Sequence, residues 1–299
     1  MAKPWADISQ DVLPELPAML GYEERQFLYW LGARSEGRTI IDLGTFLGAS
    51  AACIADGAQA AGSDSRVISY DLFLYGPWCE PYKSRMDGFN GKDVFSWVEN
   101  ALSPWGDRIG LVKRDITTQR WIGNEVEALF VDFTQNWDHH NHVCRHFLPH
   151  LKVGGILAHQ DYVHVLCYWL HIFMERFADH FEVLSRRIEY STAAWILRDR
   201  LPPEAFEPLN KQMTVPEMMD LLASSITRYD GVWRALIELS RVRFILHAYG
   251  VDAARAELKV WQDRNGMHES AQPHFEVLKQ EIEDWPPTGD PYAGYFMTR

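Results

Sequence analysis

The 299-residue chain is 47% hydrophobic and 23% charged, a globular balance with enough apolar residues for a substantial core. Its formal net charge of −12 carries no basic cluster, which argues against nucleic acid or an anionic membrane as the main partner. The start MAKPWADISQ lacks the basic n-region and apolar run of a secretory signal, and no stretch has the apolar length of a membrane span. Cys53, Cys79, Cys144 and Cys167 form no C-x-x-C pair, so reduced, mostly buried thiols in a cytoplasmic protein are expected.

Residues 11–34 read as helical, with Leu13, Leu16, Met19 and Leu20 preceding Phe27, Leu28, Trp30 and Leu31. From residue 39 short apolar runs alternate with helix-length segments. Strands are predicted at 39–43, 66–70, 110–113, 128–132, 155–158, 181–186 and 193–197, and helices near 49–61, 92–102, 138–151 and 164–180. That alternation implies an α/β fold: a Rossmann-like doubly wound sheet of about seven strands. The short link Glu189-Tyr-Ser-Thr192 makes the last two strands an antiparallel hairpin. Pro202-Pro203 then breaks the chain, and helical runs follow. Thr214-Val-Pro-Glu217 carries a capping signature, 232–249 is strongly apolar on one face and closed by Gly250, and 253–261 and 273–285 follow. A tail begins at Pro286-Pro287-Thr-Gly289. The organisation is a domain over 1–200 and a helical extension over 201–299, read as a lid or a dimerisation region that would make a homodimer.

The first strand runs into Thr39-Ile-Ile-Asp-Leu-Gly-Thr-Phe-Leu-Gly-Ala-Ser50. Gly44 and Gly48 permit a tight turn, and the Ala-rich helix behind it presents bare N–H groups beside the carboxylate of Asp42. This is not the Gly-x-Gly-x-x-Gly pyrophosphate fingerprint, and an acid in the turn suits an ammonium-bearing ligand better than a phosphate. It also counts against a nicotinamide dehydrogenase. Three more strands end at or near Asp71, Asp115 and Asp132. Asp71 is placed for ribose hydroxyls and Asp115 for an adenine amino group; the competing role for each is to cap the next helix.

This series, from about Thr39 to Leu197, resembles the class I S-adenosylmethionine-dependent methyltransferases. Asp-Leu-Gly-Thr-Phe-Leu-Gly-Ala-Ser is most similar to the macrocin-type O-methyltransferases, and Leu148-Pro-His-Leu-Lys-Val-Gly-Gly-Ile-Leu-Ala-His-Gln-Asp-Tyr162 resembles that family's fifth-strand signature. The resemblance implies a cofactor site at Asp42, Gly44, Thr45, Gly48, Ser50, Asp71, Asp115 and Asp132. It also implies Mg²⁺ on an Asp after strand four and an acidic pair after strand five. Asp132 and Asp161 match, while Gln160 stands where the family has an acid and brings no charge to a cation.

The implied reaction is methylation of a hydroxyl on a small metabolite or sugar, with a base to take the proton. Thr134 and Gln135 occupy the family's usual base position, so His139 and His140 just past Asp132 are the candidates, with His159 beside them in type. Asp132 and Asp161 complete the catalytic set. His142, His146 and His150 recur at i, i+4, i+8 and read as a polar helix face. Tyr75, Trp78 and Tyr82, in the loop after Asp71, either wall a substrate or pack the loop down. The alternative function is a protein that keeps the cofactor pocket and no longer methylates.

Overall fold

Short apolar runs such as Ile40-Ile41 and Ala128–Val131 are buried on both faces, as strands inside a parallel sheet must be. The computed structural model describes residues 3–89, 91, 93–265 and 268–285. Seven strands form one sheet: β1 Ile40–Leu43, β2 Val67–Asp71, β3 Ile109–Lys113, β4 Val126–Val131, β5 Leu151–His159, β6 Phe181–Ile188 and β7 Thr192–Leu197. Their order is β3-β2-β1-β4-β5-β7-β6. β7 is antiparallel to both β5 and β6 and alone runs against the rest. The expected Rossmann-like sheet and terminal hairpin are therefore present, with β7 inserted beside β5 and β6 left at the edge. β5 starts four residues earlier than predicted. Gly154 takes φ +85° there, and the pairing with β4 shifts register between Val126 and Ala128, so the strand passes through an irregularity instead of beginning after it.

The chain forms two compact units. The first holds the residues up to Phe133, His146–Gln160 and Phe181–Arg200, and thus the whole sheet. Its core joins Ile40, Ala128, Phe130 and Ile156 from the sheet to α1 (Tyr22–Ala33) and α2 (Ala49–Ala60). Phe27, Leu28, Leu31 and Ile54 are fully buried there, each worth roughly 1.5–3 kcal/mol of transfer free energy. α1 and α2 touch backbone to backbone. A Cβ on Gly32 would lie 1.9 Å from the Ile54 carbonyl oxygen, and one on Gly57 would lie 1.9 Å from that of Tyr29. The short α3 (Val94–Ala101) is capped by Asp93, which accepts from Ser96 N at 3.3 Å; the predicted start at Lys92 lies outside the described residues.

The expected helix over 11–34 is reduced to α1, preceded by a turn at Gln10–Val12. Leu13 is already extended, at φ −88° and ψ 137°. Pro14 and Pro17 explain this: each lacks a donor and pushes the residue before it out of the helical region. α1 begins only at Tyr22, with Gly21 as its N-cap. Its first N–H groups are taken by Glu24 in a capping box and by the Glu189 carboxylate from the β6–β7 turn, which accepts from Glu23 N at 2.6 Å.

The second unit contains Thr134–Arg145, Asp161–His180 and the residues from Leu201 onward. Its helices are α4 Trp137–His146, α5 Tyr168–Arg176, α6 Leu209–Gln212, α7 Val215–Thr227, α8 Gly231–Tyr249, α9 Val251–Asn265 and α10 Gln272–Glu283. α7 carries the expected capping box on Thr214 and Glu217, and Gly250 closes α8 at φ +87°. The apolar faces of the C-terminal helices are covered within the unit: α5 packs on α7 and α8, and α10 on α8 and α9. Polar bonds fix the register. His171 Nδ1 lies 2.9 Å from Ser225 Oγ, and buried Arg243 Nε donates to both oxygens of Glu281 at 3.0 Å. α4 stops three residues before Pro149, so His150 sits in the turn Leu148–His150 and shares no helix face with His142 and His146. The predicted tail at 286–289 lies outside the described residues. All four cysteines are buried, and none is in a disulfide. Among the described residues no helix is long and apolar enough to cross a membrane.

Candidate functional site

β1 pairs in parallel with β2 on one side and β4 on the other, and strand order reverses at this junction. A parallel sheet opens a crevice at such a point, beyond the carboxyl ends of its strands. The chain leaves β1 through Gly44, whose N–H donates to the Tyr70 carbonyl at 2.9 Å. Gly44 has φ +99°, and a Cβ there would stand 2.2 Å from the Asp132 carbonyl oxygen. Only glycine lets the β1 turn lie this close to the end of β4. Gly48, at φ +93°, is the N-cap of α2. The four adjacent tips β3, β2, β1 and β4 carry Asp115, Asp71, Asp42 and Asp132, in the places the sequence suggests.

Asp42 is fully buried. Strand alternation puts it on the same face as Ile40, and parallel register sets it against Ser69 of β2. Its Oδ2 accepts three hydroxyls: Ser69 at 2.8 Å, Ser50 at 2.9 Å and Thr45 at 3.0 Å. Its Oδ1 is buried with no hydrogen-bond partner among the described residues. Burial pushes the Asp42 carboxyl up to about 6, opposed by those three hydroxyls and assisted by the charge of Asp71. Asp42 therefore stands behind Thr45 and Ser50 and orients their hydroxyls.

Asp71 is clamped at both oxygens. Oδ2 accepts from Phe46 N at 2.9 Å and Oδ1 from Phe73 N at 2.6 Å. Phe46 and Phe73 have φ +52° and +51°, and they are two of the three non-glycine residues with positive φ among the described residues. That strain costs roughly 1–3 kcal/mol at each residue and concentrates where the two N–H groups grip one carboxylate. Burial raises the Asp71 carboxyl, offset by the backbone donors of Phe73, Phe46 and Leu72. A carboxylate has about four lone-pair positions, so Asp71 keeps acceptor capacity for a ligand's hydroxyls.

A crevice opens on this turn. Gly44–Leu47, Ala49, Ser50 and Asp132 form its sheet side, and Pro17–Leu20 form the other. The cavity between them is about 30 Å³, room for a water or two. The wall at Pro17–Leu20 was not foreseen from the sequence.

No protein-family model matches the sequence, and no curated protein does. Among solved structures, the chain is similar to a SAM-dependent O-methyltransferase from Thermotoga maritima, at 20% identity over 62% of this chain and 69% of that one, TM-score 0.42. It is also similar to the O-methyltransferase NovP (13% identity, 61% and 82% covered, TM-score 0.47). A third is a putative rRNA methylase from Clostridium thermocellum (14% identity, 62% and 100% covered, TM-score 0.42). These likenesses concern the arrangement of sheet and helices and assign no activity to this chain.

The remaining candidates are placed as follows. Asp115 is exposed and caps the turn Ile116–Thr118, its Oδ1 accepting from Thr117 N at 2.9 Å and Thr117 Oγ1 at 2.7 Å. Gln160 belongs to the first unit, where its carbonyl accepts from Ser191 Oγ at 2.6 Å. Asp161 belongs to the second unit; burial raises its carboxyl and the neighbouring His164 lowers it. Among the described residues no three His, Cys, Asp or Glu side chains converge as a metal would require. Gln160 and Asp161 belong to different units of the chain, and no catalytic step is routed through Mg²⁺.

His139 and His140 are on α4 in the second unit. His139 is half-buried and its backbone N–H donates to Asn136 Oδ1 at 2.8 Å. His140 is buried, with Nε2 3.4 Å from Cys144 Sγ and its ring 5.0 Å from that of Phe173. His159 is buried at the end of β5, where burial pulls its imidazole down to about 3, too low for efficient proton transfer at neutral pH. In the loop after Asp71, Tyr82 packs edge-on against Phe46 at 5.6 Å and Tyr75 against Phe89 at 5.1 Å. Trp78 is the most exposed of the three aromatics, at 51%, while Tyr75 and Tyr82 are half-buried.

Proposed function

We propose that this chain is an S-adenosylmethionine-dependent methyltransferase acting on a hydroxyl of a small metabolite. The observation that carries the reading is the doubly clamped Asp71 beside the Gly44 turn, at the reversal point of a β3-β2-β1-β4 run. When bound, the cofactor supplies a methyl group on a sulfonium, open to attack by an oxygen nucleophile. Asp71 would accept the two ribose hydroxyls, having been fixed in advance by Phe46 N and Phe73 N. Thr45 and Ser50 would face the amino-acid end, their hydroxyls oriented by Asp42. The Gly44 turn lets backbone approach the ligand where any side chain would collide with Asp132.

Much of such a reaction is positioning. Asp132, half-buried on the crevice, would receive the acceptor's hydroxyl proton as the oxygen–carbon bond forms and the methyl's bond to sulfur breaks, the electron pair staying on sulfur. The net charge of −12 favours a small acceptor over RNA. Incubation with methyl-labelled S-adenosylmethionine and a panel of hydroxylated metabolites tests the reading: label is expected on an acceptor oxygen, and Asp132→Asn is expected to lower turnover with cofactor affinity retained. Cofactor binding with no transfer to any acceptor would point to a protein that keeps the pocket without the chemistry. Absence of binding would remove the reading altogether.

A further inference from the structure

The segment between the turn at Gln10–Val12 and α1 crosses the cofactor crevice. Pro14 and Pro17 keep it out of a helix, so its carbonyls find no intrahelical donors. One side chain collects them. Arg25, on the first turns of α1, donates through its guanidinium to the carbonyls of Pro14 at 3.1 Å, Leu16 at 3.1 Å and Leu20 at 3.4 Å. Leu13 is buried, and Leu16 and Leu20 pack partly on the core. Between these anchors Pro17–Leu20 stand against Gly44–Leu47 across the crevice, with Met19 51% exposed. A guanidinium fork suits this task, because its planar donors reach several acceptors with little loss of freedom per bond.

The crevice so formed, about 30 Å³, has room for a water or two. An aminoacyl nucleoside has tens of non-hydrogen atoms. A ligand seated between the Gly44 turn and Pro17–Leu20 would therefore have to displace that segment. We propose that Pro14–Leu20 is a strap that gates the crevice, and that Arg25 is the positioning residue that latches it. Arg25 acts through the strap backbone and touches no ligand. The inference rests on the cofactor reading for the identity of what enters, and on the crevice geometry alone for the gate.

The test compares the full-length wild type with Arg25→Ala and Arg25→Lys. Hydrogen exchange without ligand is read at Leu16 and Ala18–Leu20, at Thr45–Leu47, and at Cys53–Ala58 of α2 as a folding control. Loss of charge-assisted bonds in R25A is expected to raise exchange about tenfold or more in both strap and turn, leave α2 unchanged, and place R25K between. S-adenosylhomocysteine, as probe, is then expected to associate and dissociate faster with R25A than with wild type. Unchanged exchange at Thr45–Leu47 in R25A would overturn the gate, as would unchanged probe association and dissociation. If R25A also loosens α2, R25K carries the comparison by the same criteria, since it keeps the charge and loses the three-way grip. A wild type that ignores the probe counts against the cofactor reading, and the exchange data then decide the strap by themselves.

Discussion

Gly44→Ala is expected to destabilise the first unit by several kcal/mol, and the cost divides into two parts. The backbone at φ +99° is one that a Cβ-bearing residue resists by roughly 1–2 kcal/mol. The new Cβ would also stand 2.2 Å from the Asp132 oxygen and 2.8 Å from its carbonyl carbon. Neither side yields readily, because Gly44 N is bonded to Tyr70 O at 2.9 Å and Asp132 N to Leu43 O at 2.8 Å. Relief must come from moving sheet backbone, which adds about 2–3 kcal/mol on the scale of overpacking. Gly62→Ala is the matched control: Gly62 has φ +67°, and nothing stands within 4 Å of its Cβ position. It carries the conformational part alone. Urea denaturation of wild type, G44A and G62A, read at equal slopes, separates the two contributions. If G44A and G62A unfolded within about 0.5 kcal/mol of each other, the close approach of the β1 turn to β4 would be wrong.

Three further outcomes follow from the same geometry. Asp71→Asn places an amide NH₂ against one of two fixed N–H donors, so affinity for S-adenosylmethionine should drop by about tenfold or more in calorimetry while the fold survives. The Asp42 carboxyl rises from 3.8 to about 6 on folding. A raised folded value means that stability is greatest below the unfolded value and is lost as pH rises through the folded one. Wild type should therefore lose about 2 kcal/mol relative to Asp42→Asn between pH 4 and 6 in pH-dependent denaturation. His159 has the opposite sign. Its imidazole falls from 6.5 to about 3, so wild type should lose up to about 5 kcal/mol relative to His159→Gln as pH drops from 6.5 toward 3. Because the two slopes oppose one another, the wild-type profile between pH 4 and 6 should be flatter than that of either variant.

The sheet was legible because parallel strands buried on both faces leave short apolar runs between helix-length segments. Each predicted strand lies on an observed one, and only β5 began well before its prediction, at an irregularity that a left-handed Gly154 permits. The acidic tips were legible for a related reason: a strand end is a place in the sequence as well as in space. What each acid does was not. Asp42 and Asp71 look alike as strand-end carboxylates, yet one is buried under three hydroxyls and the other is held by two N–H groups. That difference depends on Ser69 lying in register with Asp42, and on positive φ at Phe46 and Phe73, neither of which local propensity announces. The strap was missed because Leu13, Leu16 and Leu20 suit a helix by spacing; Pro14 and Pro17 were the available warning. The helices after Leu201 read as apolar faces in search of cover. Their partners include α5, a helix from between two strands, and spacing along the chain cannot show a contact of that range.

Calorimetric titration of S-adenosylmethionine into the full-length protein and into Asp71→Asn tests the central claim most directly. One-site binding to the wild type is expected, weakened about tenfold or more in the variant. Equal affinity for the two proteins, or no binding to the wild type at millimolar cofactor, would contradict it.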